Sequence, residues 1–319
     1  MPQNQIRQRI LYEAYVNGIN SNSGKLFERL KLNKQTVDYA LEKLKEEELF
    51  TKTKYEIDLN AIGIGKFAWV FLSINWETYD HDTFVKKLLG MTQVMLVANV
   101  TGTSDIAVKI FGPSINNISS FILMIEKTFS STINDTVVYF ANKEYKRHYL
   151  KVEKKKLCKI TDADIAILKE KTLNPQTPLG EIAEKYLLHR NTISKRLEKL
   201  WEGGVLVKEL PDLTQKGYEE LHMGLKVFIL IKPCPGKEEK IIGVLMKNPE
   251  IQDIFTTLSN EIVIVLRTEN SSTLAMAHRM LSRINFCVKK TNTSVFLTKH
   301  NKTSLSLGEI QGLIQRRNL

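Results

Sequence analysis

Arg190, Asn191, Ser194 and Lys195 fall at helical spacing along one face of a charged segment, with Thr192 between them and Arg196 and Lys199 flanking. Guanidinium and ammonium groups donate to phosphate oxygens and to the acceptor edge of guanine. A carboxamide matches the donor and acceptor of adenine, and a hydroxyl can meet either kind of group. A row of this kind on a helix suits the major groove of a nucleic-acid duplex, with Arg196 and Lys199 placed to hold phosphates. A solvated basic face would carry the same residues, so the elements around the row must decide.

The same pattern occurs 156 positions earlier, where Lys34, Gln35, Thr36, Asp38 and Tyr39 stand opposite Arg190, Asn191, Thr192, Ser194 and Lys195. Lys34 is the one cation in that set. Gln35 can pair with adenine and Asp38 can accept from cytosine, but a carboxylate is repelled by phosphates, and Glu46, Glu47 and Glu48 add negative charge nearby. The first face is therefore expected to read bases less well, if it reads them at all.

Other chemistry finds little support. There is no G-x-x-x-x-G-K-[ST] loop and no G-x-S-x-G elbow, and Gly63 and Gly65 lack the third glycine of a dinucleotide fingerprint. The six histidines form no metal spacing, and Cys158, Cys234 and Cys287 form no C-x-x-C pair and are read as reduced thiols. No cofactor, metal or catalytic residue is expected.

The elements that position these residues come from a duplication. Leu32, Thr36, Val37, Leu41, Glu42, Lys43 and Leu44 align without gaps with Leu188, Thr192, Ile193, Leu197, Glu198, Lys199 and Leu200. The repeat continues, shifted by one, into Val70 and Phe71 against Val227 and Phe228. Each half opens with three amphipathic helices. In the first they are marked by Ile6, Ile10, Leu11 and Ala14, then Leu26, Phe27 and Leu30, then Val37, Leu41 and Leu44, with Asn33 as cap. In the second they run over 162–171, 179–186 and 190–202, stopped by Gly203 and Gly204.

Strand periodicity follows in each half. Strands over 67–74, 94–100, 106–111 and 136–140 enclose helices over 82–89 and 115–129. The second half repeats this with strands at 226–231, 251–257, 262–266 and 294–298 and helices at 237–246 and 273–284. The order β-α-β-β-α-β is that of a ferredoxin-like split βαβ domain. The fold class is thus α+β, a tandem duplication of a (winged) helix-turn-helix domain followed by a ferredoxin-like domain. The expected divisions are 1–56, 64–147, 148–215, 222–300 and a tail at 301–319. The connection from Lys143 to Lys159, with Lys146, Arg147, His148, Lys151 and the triplet Lys154, Lys155 and Lys156, reads either as a solvated spacer or as added phosphate contacts.

The net charge of +11, from 46 Lys and Arg against 35 Asp and Glu, favours a polyanionic partner, whether nucleic acid or an anionic membrane. No apolar run is long enough to span a bilayer and no secretory leader is read at the start, so a cytoplasmic protein is expected.

The segments Asp164 to Leu168, Glu181 to Ala183 and Thr192 to Leu197, repeated in outline in the first half and each followed by the β-α-β-β-α-β pattern, resemble the Lrp/AsnC (feast/famine) regulators. That resemblance implies double-stranded DNA binding by the helix trio. It also implies association through the ferredoxin-like (RAM) domain and response to a small effector, commonly an amino acid, at the turn of Gly102, Thr103, Ser104 and Asp105; turn chemistry alone explains the same residues. Lys31 and Leu187 replace the family's usual glycine between the second and third helices, and the turn at Leu258 to Glu261 has none. Pairing of the two ferredoxin-like domains within one chain, in place of a homodimer, is the arrangement the tandem repeat suggests. Two alternatives remain. The siroheme decarboxylases resemble the chain in tandem architecture, but they carry histidine and arginine in the segment matching Val97 to Ile106, where this chain has neither. An assembly or sensor protein without DNA binding would instead show a neutral second recognition helix.

Overall fold

The computed structural model describes residues 3–21, 24–152, 157–283 and 288–301. The lysines at 154–156, Cys287, the expected helix end at Ile284 and residues 302–319 of the tail lie outside the described residues.

In chain order the elements are α1 (Gln3–Asn17), β1 (Asn20–Ser21), β2 (Gly24–Lys25), α2 (Leu26–Leu30), α3 (Lys34–Glu46), β3 (Phe50–Ile57), β4 (Lys66–Ile74), α4 (His81–Gly90), β5 (Val94–Val100), β6 (Ile106–Gly112), α5 (Ile115–Thr128), β7 (Ile133–Arg147) and β8 (Leu150–Lys151). The second half supplies α6 (Asp162–Leu173), α7 (Leu179–Lys185), α8 (Arg190–Glu202), β9 (Leu206–Leu213), α9 (Gln215–Glu220), β10 (Leu225–Pro233), α10 (Glu238–Leu245), β11 (Ile251–Thr257), β12 (Ile262–Thr268), α11 (Ser271–Arg283) and β13 (Val288–Asn301). Each half is thus a helix trio with a following strand, then β-α-β-β-α-β.

The compact units do not follow the two halves. Both helix trios, up to Gly65 and from 157 to Gly224, form one unit, and both ferredoxin-like repeats, from Lys66 to 152 and from Leu225 to 301, form the other.

In the first unit the strands order β2-β1-β9-β3, so the strand after one trio pairs antiparallel with the strand after the other. Phe50 lies opposite Leu213 and Ile57 opposite Leu206. Because Phe50 corresponds to Leu206 and Ile57 to Leu213 in the repeat, the pairing is locally two-fold symmetric. Its centre is Lys54 opposite Leu210, which are each other's counterparts. The apolar stripes of the helices bury Ile10, Leu11, Leu26, Val37 and Leu44 in the first trio and Ile165, Leu168, Ile182, Ile193 and Leu200 in the second.

In the second unit the sheet order is β11-β12-β10-β13-β5-β6-β4-β7-β8, and β7 also pairs with β11. The strands from β11 to β7 therefore close into a ring. The repeats join through β13 with β5 and through β7 with β11, which is the same junction made twice. Closure removes the exposed sheet edges that a single repeat would leave open. Alternation divides each strand between two cores. Val70, Leu72, Phe84, Val108 and Ile122 pack together on the helix side in the first repeat, with Val227, Ile229, Ile241 and Ile264 doing the same in the second. On the other face of β4, Trp69 lies 5.7 Å from Phe228 and 5.6 Å from Phe296, joining the repeats through edge-to-face rings.

The basic connection is corrected by these pairings. β7 runs on to Arg147 because it reaches β11. Lys146 is consequently buried and donates to the carbonyl of Asn248 at 2.8 Å, and burial pushes its pKa below the usual lysine range. Arg147 pairs with Glu144, and the His148 backbone N–H donates to Asp253 Oδ1 at 2.7 Å. Lys146 and Arg147 are therefore structural residues of the sheet and serve neither as a solvated spacer nor as spare phosphate contacts. Lys151 remains exposed on β8.

Candidate nucleic-acid interface

Each trio ends in a helix-turn-helix whose turn closes in the same way. Lys31 and Leu187 both take the left-handed backbone, with φ of 56° and 53°. The Lys31 N–H donates to Glu28 O at 3.1 Å and the Leu32 N–H to Phe27 O at 3.0 Å; Leu187 and Leu188 repeat this with Glu184 O at 3.3 Å and Ala183 O at 2.9 Å. These bonds satisfy the last carbonyls of the preceding helix, a role usually left to glycine because a Cβ is strained in this conformation. Leu187 pays for it twice, since its side chain is 94% exposed.

The third helices start on side-chain caps. Asn33 Oδ1 accepts from the Gln35 N–H at 2.9 Å, and His189 Nδ1 accepts from the Asn191 N–H at 3.2 Å. Along α8, Ile193 and Leu200 point into the trio. Arg190, Asn191, Lys195 and Lys199 are exposed, with Thr192 and Ser194 half-buried beside them. Among the described residues, no ion pair involves Arg190, Lys195 or Lys199. The sequence-derived row thus comes together on one face with its charges available.

Arg196 departs from the expected role. Its Nη1 donates to Thr161 Oγ1 at 2.7 Å and to Asp164 Oδ1 at 3.1 Å, and the Asp164 side chain is only 2% exposed. Asp164 also accepts from the Thr161 N–H and hydroxyl as the far half of the α6 capping box. A buried carboxylate needs a charge partner, so Arg196 is drawn inward to tie α8 to α6 and is not a free phosphate contact. Nearby, Glu170 accepts from Lys185 Nζ at 2.9 Å and from the Tyr186 hydroxyl at 2.7 Å, fixing α7 to α6. Burial and that bond push the Tyr186 phenol up to about 12.

On α3, Gln35, Thr36 and Tyr39 are exposed, but the cations at the counterparts of Arg190 and Lys199 are paired within the helix. Lys34 pairs with Asp38 one turn on, and Lys43 pairs with Glu46 while its ammonium lies over the Tyr39 ring. Arg7 is paired with Glu47.

The candidate ligand turn lies in the second unit. Gly102 has φ of 118°, and a Cβ placed on it would lie 3.8 Å from Ser294 Oγ. Asp105 Oδ2 accepts from the Ile74 N–H at 2.8 Å, and Thr103 O from Ser73 Oγ at 2.9 Å. The Thr101 N–H donates to Val295 O at 2.9 Å. Ser104 is half-buried between these bonds. The turn is thereby fastened to β4 and to the other repeat, with one Asp105 carboxylate oxygen already engaged.

Two features escaped the sequence reading: the β3–β9 pairing and the buried Lys208 and Glu209 within it. Adjacent charges in the largely apolar run Leu206–Leu213 were the signal that marked them.

The fold and this face together define a transcription regulator with two helix-turn-helix units in one chain. The chain is 31% identical over 146 residues to the HTH-type transcriptional regulator FL11 of Pyrococcus furiosus, spanning 46% of this chain and 94% of the relative. It is also 31% identical over 148 residues to FL11 of Pyrococcus horikoshii, again spanning 46% and 94%. It belongs to the Lrp/AsnC family of transcription regulators. No family model matches. Among solved structures, the siroheme decarboxylase NirDL has the same fold over 98% of both chains, with a TM-score of 0.63 and 10% identity. AsnC of E. coli covers 44% of this chain and 94% of its own at a TM-score of 0.40 and 20% identity. Among the described residues no helix is long and apolar enough to cross a membrane and no group of ligands could hold a metal ion.

Proposed function

We propose that the chain regulates transcription in the cytoplasm by binding double-stranded DNA through α8, with α3 a weaker and chemically different contact. The observation that carries this reading is the contrast between two equivalent faces: Arg190, Lys195 and Lys199 are exposed without ion pairs among the described residues, whereas Lys34 and Lys43 are paired within α3. In the proposed complex Arg190, Asn191 and Ser194 meet base edges, and Lys195 and Lys199 meet phosphates. Arg196 holds the helix at its angle. With β3 and β9 paired within the chain, the proposed readers are two and unlike, so the preferred site is not a palindrome.

The likeness to NirDL concerns fold alone and supports no decarboxylase role here. A fluorescence titration of duplex DNA across a salt series tests the regulator reading. Duplex affinity should fall steeply with salt and drop further in the Arg190→Ala/Lys195→Ala variant. Affinity unaltered by that double change would remove α8 as the reader.

A further inference from the structure

Glu209 lies one residue from the two-fold centre of the β3–β9 pairing, opposite Tyr55, and is 3% exposed. Its Oε1 accepts from Thr53 Oγ1 at 2.8 Å and from Gln176 Nε2 at 3.0 Å, and its Oε2 from Asn20 Nδ2 at 2.8 Å. All three donors are neutral. Among the described residues, its charge acts on Lys171, where burial outweighs it and lowers the pKa, and on Tyr55, where it adds to burial in raising the pKa.

The partners have a particular relation. Thr53 and Glu209 are 156 positions apart, so each is the other's counterpart in the repeat, and Asn20 and Gln176 are counterparts by the same spacing. The Thr53–Glu209 bond therefore crosses the local axis between two equivalent positions. If a second trio paired with another second trio through β9, the same position would bring one Glu209 carboxylate against another at hydrogen-bond distance in a buried site. Two such groups cannot both ionise there. If a first trio paired with a first trio, two threonine hydroxyls would meet without penalty.

We propose that Glu209, read by Thr53, is a specificity-determining residue for assembly: it admits pairing of a second helix trio with a first and rejects pairing of two second trios. The partner it selects is a strand offering a hydroxyl donor at position 53. The surface it excludes is β9 of a second copy of this chain. This is independent of whether α8 reads DNA.

The test reproduces the forbidden pairing inside the full-length chain. Thr53→Glu places a carboxylate on each side of the axis, Thr53→Gln adds the same bulk as a neutral donor, and Thr53→Glu/Glu209→Thr exchanges the two members. By the local symmetry, Asn20 and Gln176 can donate to a glutamate at 53 as they do to Glu209. Thermal unfolding at neutral pH should show a midpoint lowered by roughly 5 °C or more in Thr53→Glu, with Thr53→Gln and the exchanged variant within about 2 °C of the parent. The Thr53→Glu deficit should also shrink as pH falls, because the crowded pair holds a proton to higher pH than an ordinary carboxyl and protonation relieves the repulsion. The idea is overturned if Thr53→Glu is as stable as the parent at neutral pH. It is equally overturned if Thr53→Gln or the exchanged variant is destabilised as much as Thr53→Glu, since bulk or position, and not paired charge, would then be the cause.

Discussion

On α3 the cation at the helix start, Lys34, is held by Asp38 one turn on, and Lys43 by Glu46; on α8 the counterparts Arg190 and Lys199, with Lys195, carry no such partner among the described residues. The backbones around these helices hardly differ. Both turns take the left-handed conformation at the same repeat position, both helices begin on a side-chain cap, and both bury the same stripe. The trios thus diverged through a few exposed side chains that decide whether a positive charge faces solvent or a neighbouring carboxylate. A duplicated scaffold can hold its geometry and still lose symmetry in what it recognises, because exposed charge costs little to rearrange and buried packing costs much.

The largest expected effect lies on the second face. Arg190→Ala/Lys195→Ala should weaken duplex binding by roughly tenfold or more at moderate salt, while Lys34→Ala/Gln35→Ala changes it by less than about threefold. Parallel titrations in one buffer check this, and equal losses would erase the distinction between the trios. Next comes Arg196→Ala, which strips the buried Asp164 of its charge partner and should cost about 1–3 kcal/mol in chemical denaturation. The first trio has Ala40 at that position and needs no such tie.

Freeing the first face tests the comparison from the other side. Asp38→Ser gives α3 the residue that α8 carries at Ser194 and releases Lys34, so affinity should rise by about threefold and the salt dependence should steepen. An unchanged titration would show that the first trio stays off the duplex whatever its charge. Smaller still are two backbone changes. Glu48 is left-handed with φ of 61°, where the second trio has Gly204 at 66°. Glu48→Gly and Leu187→Gly should each stabilise the fold by roughly 0.5–1 kcal/mol in a denaturant titration.

The last effect is one of pH. Burial raises the Glu170 carboxyl, but hydrogen bonds from Tyr186 and Lys185 override it and leave the pKa below the ordinary value. A group depressed in the folded state adds stability above its unfolded pKa and loses it as pH falls through the folded one. Melting of the parent should therefore decline more steeply than that of Glu170→Gln as pH drops below about 4.5.

The elements were legible because apolar residues recur at 3.6 in the trios and at 2 in the repeats that follow, and the duplication doubled each signal. Val94–Val100 and Ile251–Thr257 fall where the pattern puts them. β3 and β9 were not placed, since Thr51 to Tyr55 alternates polar with polar and the strand exists through a partner over 150 positions away. The same distance hid the closed ring, and with it the burial of Lys146. Arg196 misled for a related reason. In sequence it flanks the basic row as a phosphate contact, and only the fold shows that the buried Asp164 of the α6 capping box lies within its reach.

The two helix-turn-helix faces are proposed as unequal readers of one duplex site, with α8 dominant. Selection of bound sequences from random duplexes tests this most directly, using the parent, Arg190→Ala/Lys195→Ala and Lys34→Ala/Gln35→Ala. An enriched, non-palindromic motif is expected for the parent, kept by the first-trio variant and lost by the second-trio variant. A palindromic motif, or one lost on changing Lys34 and Gln35 but kept without Arg190 and Lys195, would contradict it.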